Sequence, residues 1–180
     1  MSNGVYMDYV EKTIKRHYIY RGSILSLRCD DAELIDGTPC KREIVEHSGG
    51  ACVLYVKENK ILFVRQYRYA YGESVLELPA GKLNAGEDPS LAATRELKEE
   101  TGVEAEKLEL LQVLYPSPGY TNEKIYIYQA FGNKQTGQCL DEGEYLDVEW
   151  IDACKVKEML FSGQIKDAKT VVALQRFFMQ

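Results

Sequence analysis

Histidine is almost missing from this 180-residue sequence: there are two, His17 and His47, each isolated among strand-like residues. Cysteine is sparse in pattern rather than number, since Cys29, Cys40, Cys52, Cys139 and Cys154 stand far apart without a CxxC pair. Those two absences exclude a zinc ligand set and a disulfide framework, and leave reduced structural or surface thiols. Any metal is therefore expected to be held by oxygen. A run of the roughly 20 apolar residues that a membrane span needs is also absent. The opening MSNGVYMDYVEKTIKRHYIY is too polar for a secretory signal, so a cytoplasmic location is expected. Positive charge is in deficit, with 22 Lys and Arg against 28 Asp and Glu and a net charge of -6. That balance argues against a nucleic-acid surface, which requires clustered basic residues. What remains, 45% hydrophobic and 28% charged residues without repeats or low-complexity tracts, is the composition of a globular chain able to bury a core.

Along the chain, His17 to about Ile35 alternates loosely between apolar and polar residues, and turn signals follow at Asp30-Asp31 and at Asp36-Gly37-Thr38-Pro39. This reads as an antiparallel ribbon of two or three strands with too few apolar residues to stand alone. From Arg42 the pattern strengthens into what reads as the start of a main sheet: REIVEH, then ACVLYVKE and KILFVRQYRYA around a tight turn at Glu58-Asn59. Pro79-Ala80-Gly81 interrupts it. Asp88 then supplies an N-cap and Pro89 a first helical residue, predicting a helix to about Glu100 that Gly102 ends, with Leu91, Ala92 and Leu97 on its buried side. Strands at LELLQVLY, KIYIYQAF and LDVEWI and helices opening at Asp152 and Asp167 complete a mixed order of strands and helices. The expected division is an N-terminal β subdomain over 1–45 and a main domain over 46–180.

On the predicted helix, Glu96 and Glu100 are four apart and Glu99 lies beside them, so three carboxylates crowd one edge near the C-terminal, anion-repelling end. Taken alone, such a run is more often a solvated acidic face paired with Arg95 and Lys98. The longer pattern decides against that: Gly81, five residues, Glu87, seven residues, then Arg95-Glu96-Leu97-Lys98-Glu99-Glu100-Thr101-Gly102-Val103. This segment matches the Nudix box at every defined position, and the chain is identified as a member of the Nudix hydrolases. The resemblance implies an α+β fold, an α/β/α sandwich on a mixed β-sheet preceded by a small N-terminal antiparallel β subdomain. It also implies attack of water on a diphosphate, with Mg2+, or Mn2+, as the cation. Glu96, Glu100 and the carbonyl of Ala80 would be metal ligands, and Gly81, Glu87, Arg95 and Gly102 would shape the motif.

The resemblance extends to the ADP-ribose pyrophosphatase branch through RQYR, LELPAGKL, SPGYTNE and GQIKDAKTVVALQ. The marker proline of that branch follows the box by about fifteen residues, as Pro118 follows Val103 here. What the branch implies is a general base from a late acidic loop, assigned to Glu142 in Asp141-Glu142-Gly143-Glu144, with Glu144 as a further metal ligand and Glu99 as the lesser candidate base. Arg68 resembles the arginine placed near the diphosphate, Arg42 one that reaches a partner subunit's substrate, and Glu123 one that contacts the terminal ribose. Tyr120 stands where some relatives carry a different residue and is a candidate wall for the sugar. A homodimer acting on a nucleoside diphosphate sugar, without membrane or nucleic-acid partners, is the expectation. Hydrolysis of another such sugar, GDP-mannose for instance, is the enzymatic rival. A non-catalytic ADP-ribose sensor is the other rival, and it predicts losses among the box glutamates that are not found.

Overall fold

The computed structural model describes residues 8–132 and 134–179, so the first seven residues of the expected N-terminal subdomain lie outside the described residues. The chain divides into two compact units: one holds the residues up to His47 together with Ser117–Glu123, the other Ser48–Pro116 and the chain from Lys124 onward.

The first unit is an antiparallel sheet of four strands, β1 (Lys12–Lys15), β2 (Tyr18–Arg21), β3 (Leu25–Glu33) and β4 (Pro39–His47). β4 pairs with β3 along its length, from Leu25 opposite His47 to Glu33 opposite Pro39. Two sequence expectations change here. Asp30-Asp31 is not a turn but the middle of β3, where Asp31 takes hydrogen bonds from His17, at 2.8 Å, and from Lys41. Arg42–His47 belongs to this sheet rather than to the main one, because its partner is β3. The turn at Asp36-Gly37-Thr38 is as expected, closed by the Thr38 N–H on Asp36 Oδ1 at 2.9 Å.

The second unit contains β5 (Gly50–Lys57), β6 (Lys60–Arg68), β7 (Glu73–Glu77), β8 (Ala80–Lys82), α1 (Pro89–Thr101), β9 (Val103–Glu104), β10 (Lys107–Leu114), β11 (Ile125–Phe131), β12 (Lys134–Gln135), β13 (Leu146–Asp152), α2 (Ala153–Phe161) and α3 (Ala168–Phe178). The main sheet runs β10-β11-β5-β6-β13, with β8 added beside β5 and β7 beside β6; β11 and β5 are parallel and their neighbours antiparallel, so the sheet is mixed. Glu58 and Asn59, at φ 49° and 61°, form the tight turn between β5 and β6.

β5 is apolar at every inward position because both its faces are covered. Cys52 and Leu54 join the core built with α2 and α3 around Phe63, Val156 and Leu174, whereas Ala51, Val53 and Tyr55 join the core under α1 around Ala92, Ala93 and Leu97. Helices thus lie on both faces of the sheet. Leu91 departs from the expected buried side: it is 65% exposed, because the face packed on the sheet runs Ala93, Leu97, Glu100-Thr101 and position 91 falls with Thr94 and Lys98. Among the described residues no helix is long and apolar enough to cross a membrane.

Candidate active site

The Asp88 carboxylate caps α1 by accepting from the Ser90 N–H at 2.8 Å, and Gly102, left-handed at φ 73°, closes it with its N–H on the Lys98 carbonyl at 2.8 Å. Between those caps, burying Ala92, Ala93 and Leu97 rotates Glu96 and Glu100 toward the β7–β8 crossing, where Pro79 lends its carbonyl to the Val53 N–H at 2.9 Å. Glu100 is 2% exposed, and its Oε2 accepts the Ala80 N–H at 2.9 Å. Burial pushes this carboxyl up to about 8, and the nearby charges of Glu96 and Glu144 push the same way. Burial also raises Glu96, against the pull of Arg95 and with the push of Glu99 and Glu144.

Arg95 ties the turn before the helix to the glutamates. Its Nε and Nη2 donate to the two Glu87 oxygens at 3.0 and 3.1 Å, its Nη1 to Glu96 at 2.6 Å and Glu99 at 3.0 Å, and its Nη2 also to the Lys82 carbonyl at 3.2 Å. Glu87 completes the brace by accepting the Asn84 N–H at 2.8 Å. The Arg95 hydrogen bonds hold the Glu87 carboxyl below its ordinary range.

Carboxyl groups that are buried, mutually repelling and raised in pKa must take up protons or a cation. The set is all oxygen, as a hard divalent ion requires, and Gly81 leaves the room that the Glu96 carboxylate occupies. Among the described residues no three or more His, Cys, Asp or Glu side chains are gathered closely enough to hold a metal ion by themselves. Open coordination completed by water and substrate phosphate is the form such ions favour.

The acidic loop after β12 is anchored to the end of α1. The Cys139 N–H donates to the Glu99 carbonyl at 2.9 Å, Gln138 Nε2 to the Glu100 carbonyl at 2.7 Å, and Thr136 Oγ1 to the Gly102 carbonyl at 3.1 Å, satisfying carbonyls that the helix leaves free. Glu142 is exposed, and Glu144 is half-buried with Gln66 Nε2 at 3.4 Å. Arg68, at the end of β6, grips Glu77 with Nε at 2.5 Å and Nη2 at 2.8 Å. Glu77, and the Lys169 that also donates to it, lie in LELPAGKL and GQIKDAKTVVALQ, but neither segment's pattern marked them individually.

Four expected substrate residues belong to the first unit. Arg42 is engaged by Glu11, with Nε to Oε2 at 2.7 Å and Nη2 to Oε1 at 2.5 Å, and Glu123 faces His47 Nδ1 at 3.4 Å. Tyr120 is 57% exposed while its carbonyl accepts the Val45 N–H at 2.8 Å, and Pro118 is exposed.

Residues 46–174 match the family model described as the NUDIX domain. The chain belongs to the NUDIX family. Residues 11–45 of this Nudix protein match a second model, the nucleoside diphosphate sugar hydrolase N-terminal domain. It is 43% identical to the methanol dehydrogenase activator of Bacillus methanolicus, over 94% of both chains. It is 39% identical to the ADP-ribose pyrophosphatase of Bacillus subtilis (strain 168), over 92% of this chain and 91% of that protein. Among solved structures, an ADP compounds hydrolase superimposes with a TM-score of 0.82 at 22% identity, covering 94% of this chain and 92% of that one, which establishes the likeness of fold. Nudix hydrolysis depends on a divalent metal, and the box glutamates are the oxygen donors that suit one.

Proposed function

We propose that this Nudix protein hydrolyses ADP-ribose to AMP and ribose 5-phosphate, with Mg2+ as the working cation and Mn2+ as a substitute. The observation that carries the reading is the buried Glu100, tied to the Ala80 N–H beside Glu96 and raised toward a pKa of about 8, an arrangement that a divalent ion would neutralise. The extensive likeness to an ADP-ribose pyrophosphatase narrows the substrate.

In this reading Glu96, Glu100, Glu144 and the Ala80 carbonyl hold the metal, and Gly81, Glu87, Arg95 and Gly102 keep the loop and helix in place. A divalent cation bound there supplies Lewis acidity toward the diphosphate and lowers the pKa of water. Glu142 takes the proton of the attacking water; the new P–O bond forms as the bridging P–O bond breaks, releasing the two monophosphates. Glu99 is the weaker candidate base because Arg95 already occupies its carboxylate. Arg68 steadies the diphosphate. Arg42, Pro118, Tyr120 and Glu123 contact the rest of the substrate in a cytoplasmic homodimer, a state supported by the exposed apolar residues of the N-terminal unit, Ile14, Ile19 and Tyr20 on its strands and Ile24 in the bend between β2 and β3. The presence of Glu87, Glu96, Glu99 and Glu100 together weighs against a sensor without catalysis.

Phosphate release in a coupled phosphatase assay, with ADP-ribose and GDP-mannose each supplied with Mg2+ or EDTA, tests the proposal. Metal-dependent preference for ADP-ribose is the expected result, and preference for GDP-mannose would discard the substrate assignment. A second reading rests on the 43% identity to a methanol dehydrogenase activator: this chain would modulate an alcohol dehydrogenase. Adding it with Mg2+ to such an enzyme and finding an unchanged rate would remove that reading.

A further inference from the structure

Glu77 is a carboxylate only 3% exposed, at the end of the strand that leads into the Pro79-Ala80-Gly81 crossing. The two Arg68 bonds already pair it as a fork, which is the strong form of such an interaction. It nevertheless receives a second cation: Lys169 Nζ, from α3 and 92 residues further along the chain, donates to Glu77 Oε2. Lys169 is only 12% exposed in its side chain, and removing a lysine from water is costly unless its partners are well placed. They are well placed. Asp167, the N-cap of α3, stands 3.0 Å from Nζ and also accepts from Thr170 Oγ1 at 2.6 Å, and that oxygen accepts the Leu78 N–H at 2.9 Å. The beginning of α3 therefore grips Glu77 by its side chain and Leu78 by its backbone.

With Asp167 at its other side, Lys169 leaves the network of two cations and two carboxylates balanced, and its bond to Glu77 adds a third hold on a carboxylate that Arg68 already grips twice. That hold keeps the carboxylate in one position, so that the guanidinium bonded to it also has one orientation. Arg68 uses Nε and Nη2 on Glu77, and among the described residues nothing accepts from its Nη1. Arg68 lines a cavity of about 410 Å³ together with Lys169 and Asp167, and it feels the charge of Glu100.

We propose that Lys169 is a positioning residue for phosphate recognition: acting through Glu77, it fixes the orientation in which Arg68 presents its free edge to the substrate's diphosphate. The inference rests on the reading of Arg68 as a diphosphate ligand.

Steady-state kinetics with ADP-ribose and Mg2+ on the full chain, its Arg68→Ala and Lys169→Met variants and the double variant test it, with Tm recorded for each. Arg68→Ala is expected to raise KM at least about tenfold, the scale of a lost charge-assisted hydrogen bond. Lys169→Met is expected to raise KM by about three- to tenfold with kcat within about twofold, and to add nothing further when Arg68 is already alanine, as coupled residues do. A lower Tm and kcat at unchanged KM in Lys169→Met, or effects that multiply in the double variant, would mean a structural role only and overturn the proposal. Unchanged KM in Arg68→Ala would overturn the reading of Arg68 and the proposal with it, whereas a raised KM there and a normal one in Lys169→Met would sink the proposal alone. Should Lys169→Met fail to fold, the isosteric Glu77→Gln carries the same test: a KM increase that disappears in the Arg68→Ala background supports the proposal, and one that persists refutes it.

Discussion

A Cβ on Gly81 would lie 2.0 Å from the carboxyl carbon of Glu96. The obstacle is the end of a side chain rather than backbone, so Gly81→Ala should displace the carboxylate and leave the fold in place. The expected outcome is a loss of turnover of about 10- to 100-fold, the range seen when metal-site surroundings are disturbed, with Tm altered by less than about 4 °C. A variant that keeps wild-type kcat would show that Glu96 need not stay where it stands.

Glu100→Gln keeps an oxygen for the Ala80 N–H but removes the charge, and should lower turnover by at least about 100-fold without unfolding. Glu142→Gln should slow chemistry by about 100- to 10,000-fold while sparing metal binding. Comparison of kcat with Mn2+ affinity separates the two, and an unaltered kcat in Glu142→Gln would shift the base to Glu99 or Glu144.

The helical period alone places Glu96, Glu99 and Glu100 together and sets Arg95 beside Glu99, but it was the longer match to the Nudix box, from Gly81 through Glu87 to Val103, that marked them as a site rather than a solvated face. The same logic identified Asp88 and Gly102 as caps. It did not place Leu91, since one apolar residue at the rim of the helix cannot be assigned to a face without knowing which residues the sheet selects. Nor did it assign Arg42–His47 to its sheet, because strand character does not name a partner. The network of Arg68, Glu77 and Lys169 was out of reach for a related reason: it joins side chains 9 and 92 residues apart through the pairing of β6 with β7 and the packing of α3.

Cation binding should be visible in stability. If Mg2+ relieves the repulsion among Glu96, Glu100 and Glu144, Mg2+ at about 100 times its Kd adds about 2.7 kcal/mol, a Tm rise of roughly 5–10 °C over protein in EDTA. The rise should largely vanish in Glu100→Gln, and an equal rise in that variant would place the ion elsewhere.

Glu77 titrates in the opposite sense to Glu100. Burial works to raise it, and the hydrogen bonds and charges of Arg68 and Lys169 outweigh burial, so its folded pKa lies below the ordinary 4.5. A depressed acid contributes stability that is fully present above the unfolded pKa and is lost as pH falls through the folded one. The Tm difference between wild type and Glu77→Gln should therefore be greatest above pH 4.5 and close on further acidification. A difference that persists unchanged into strong acid would argue that the pair is not the source.

In the proposed homodimer, the N-terminal unit should carry the contact. Ile19→Lys with Ile24→Lys, at positions 65% and 64% exposed, is expected to yield a monomer by sedimentation while the far-ultraviolet spectrum stays that of the folded chain. An unchanged dimer would move the contact to another surface.

The anchoring of Gln138 and Cys139 on the carbonyls of Glu100 and Glu99 limits how far the acidic loop can travel. At about 3.5 Å of chain per residue, the backbone of Glu142 has a leash of about 10 Å from that anchor. The loop is thereby tied to the helix that bears its own chain's Glu96 and Glu100. On the roles proposed for them, the base Glu142 and the metal ligands Glu96 and Glu100 would therefore come from one polypeptide, whatever the oligomeric state.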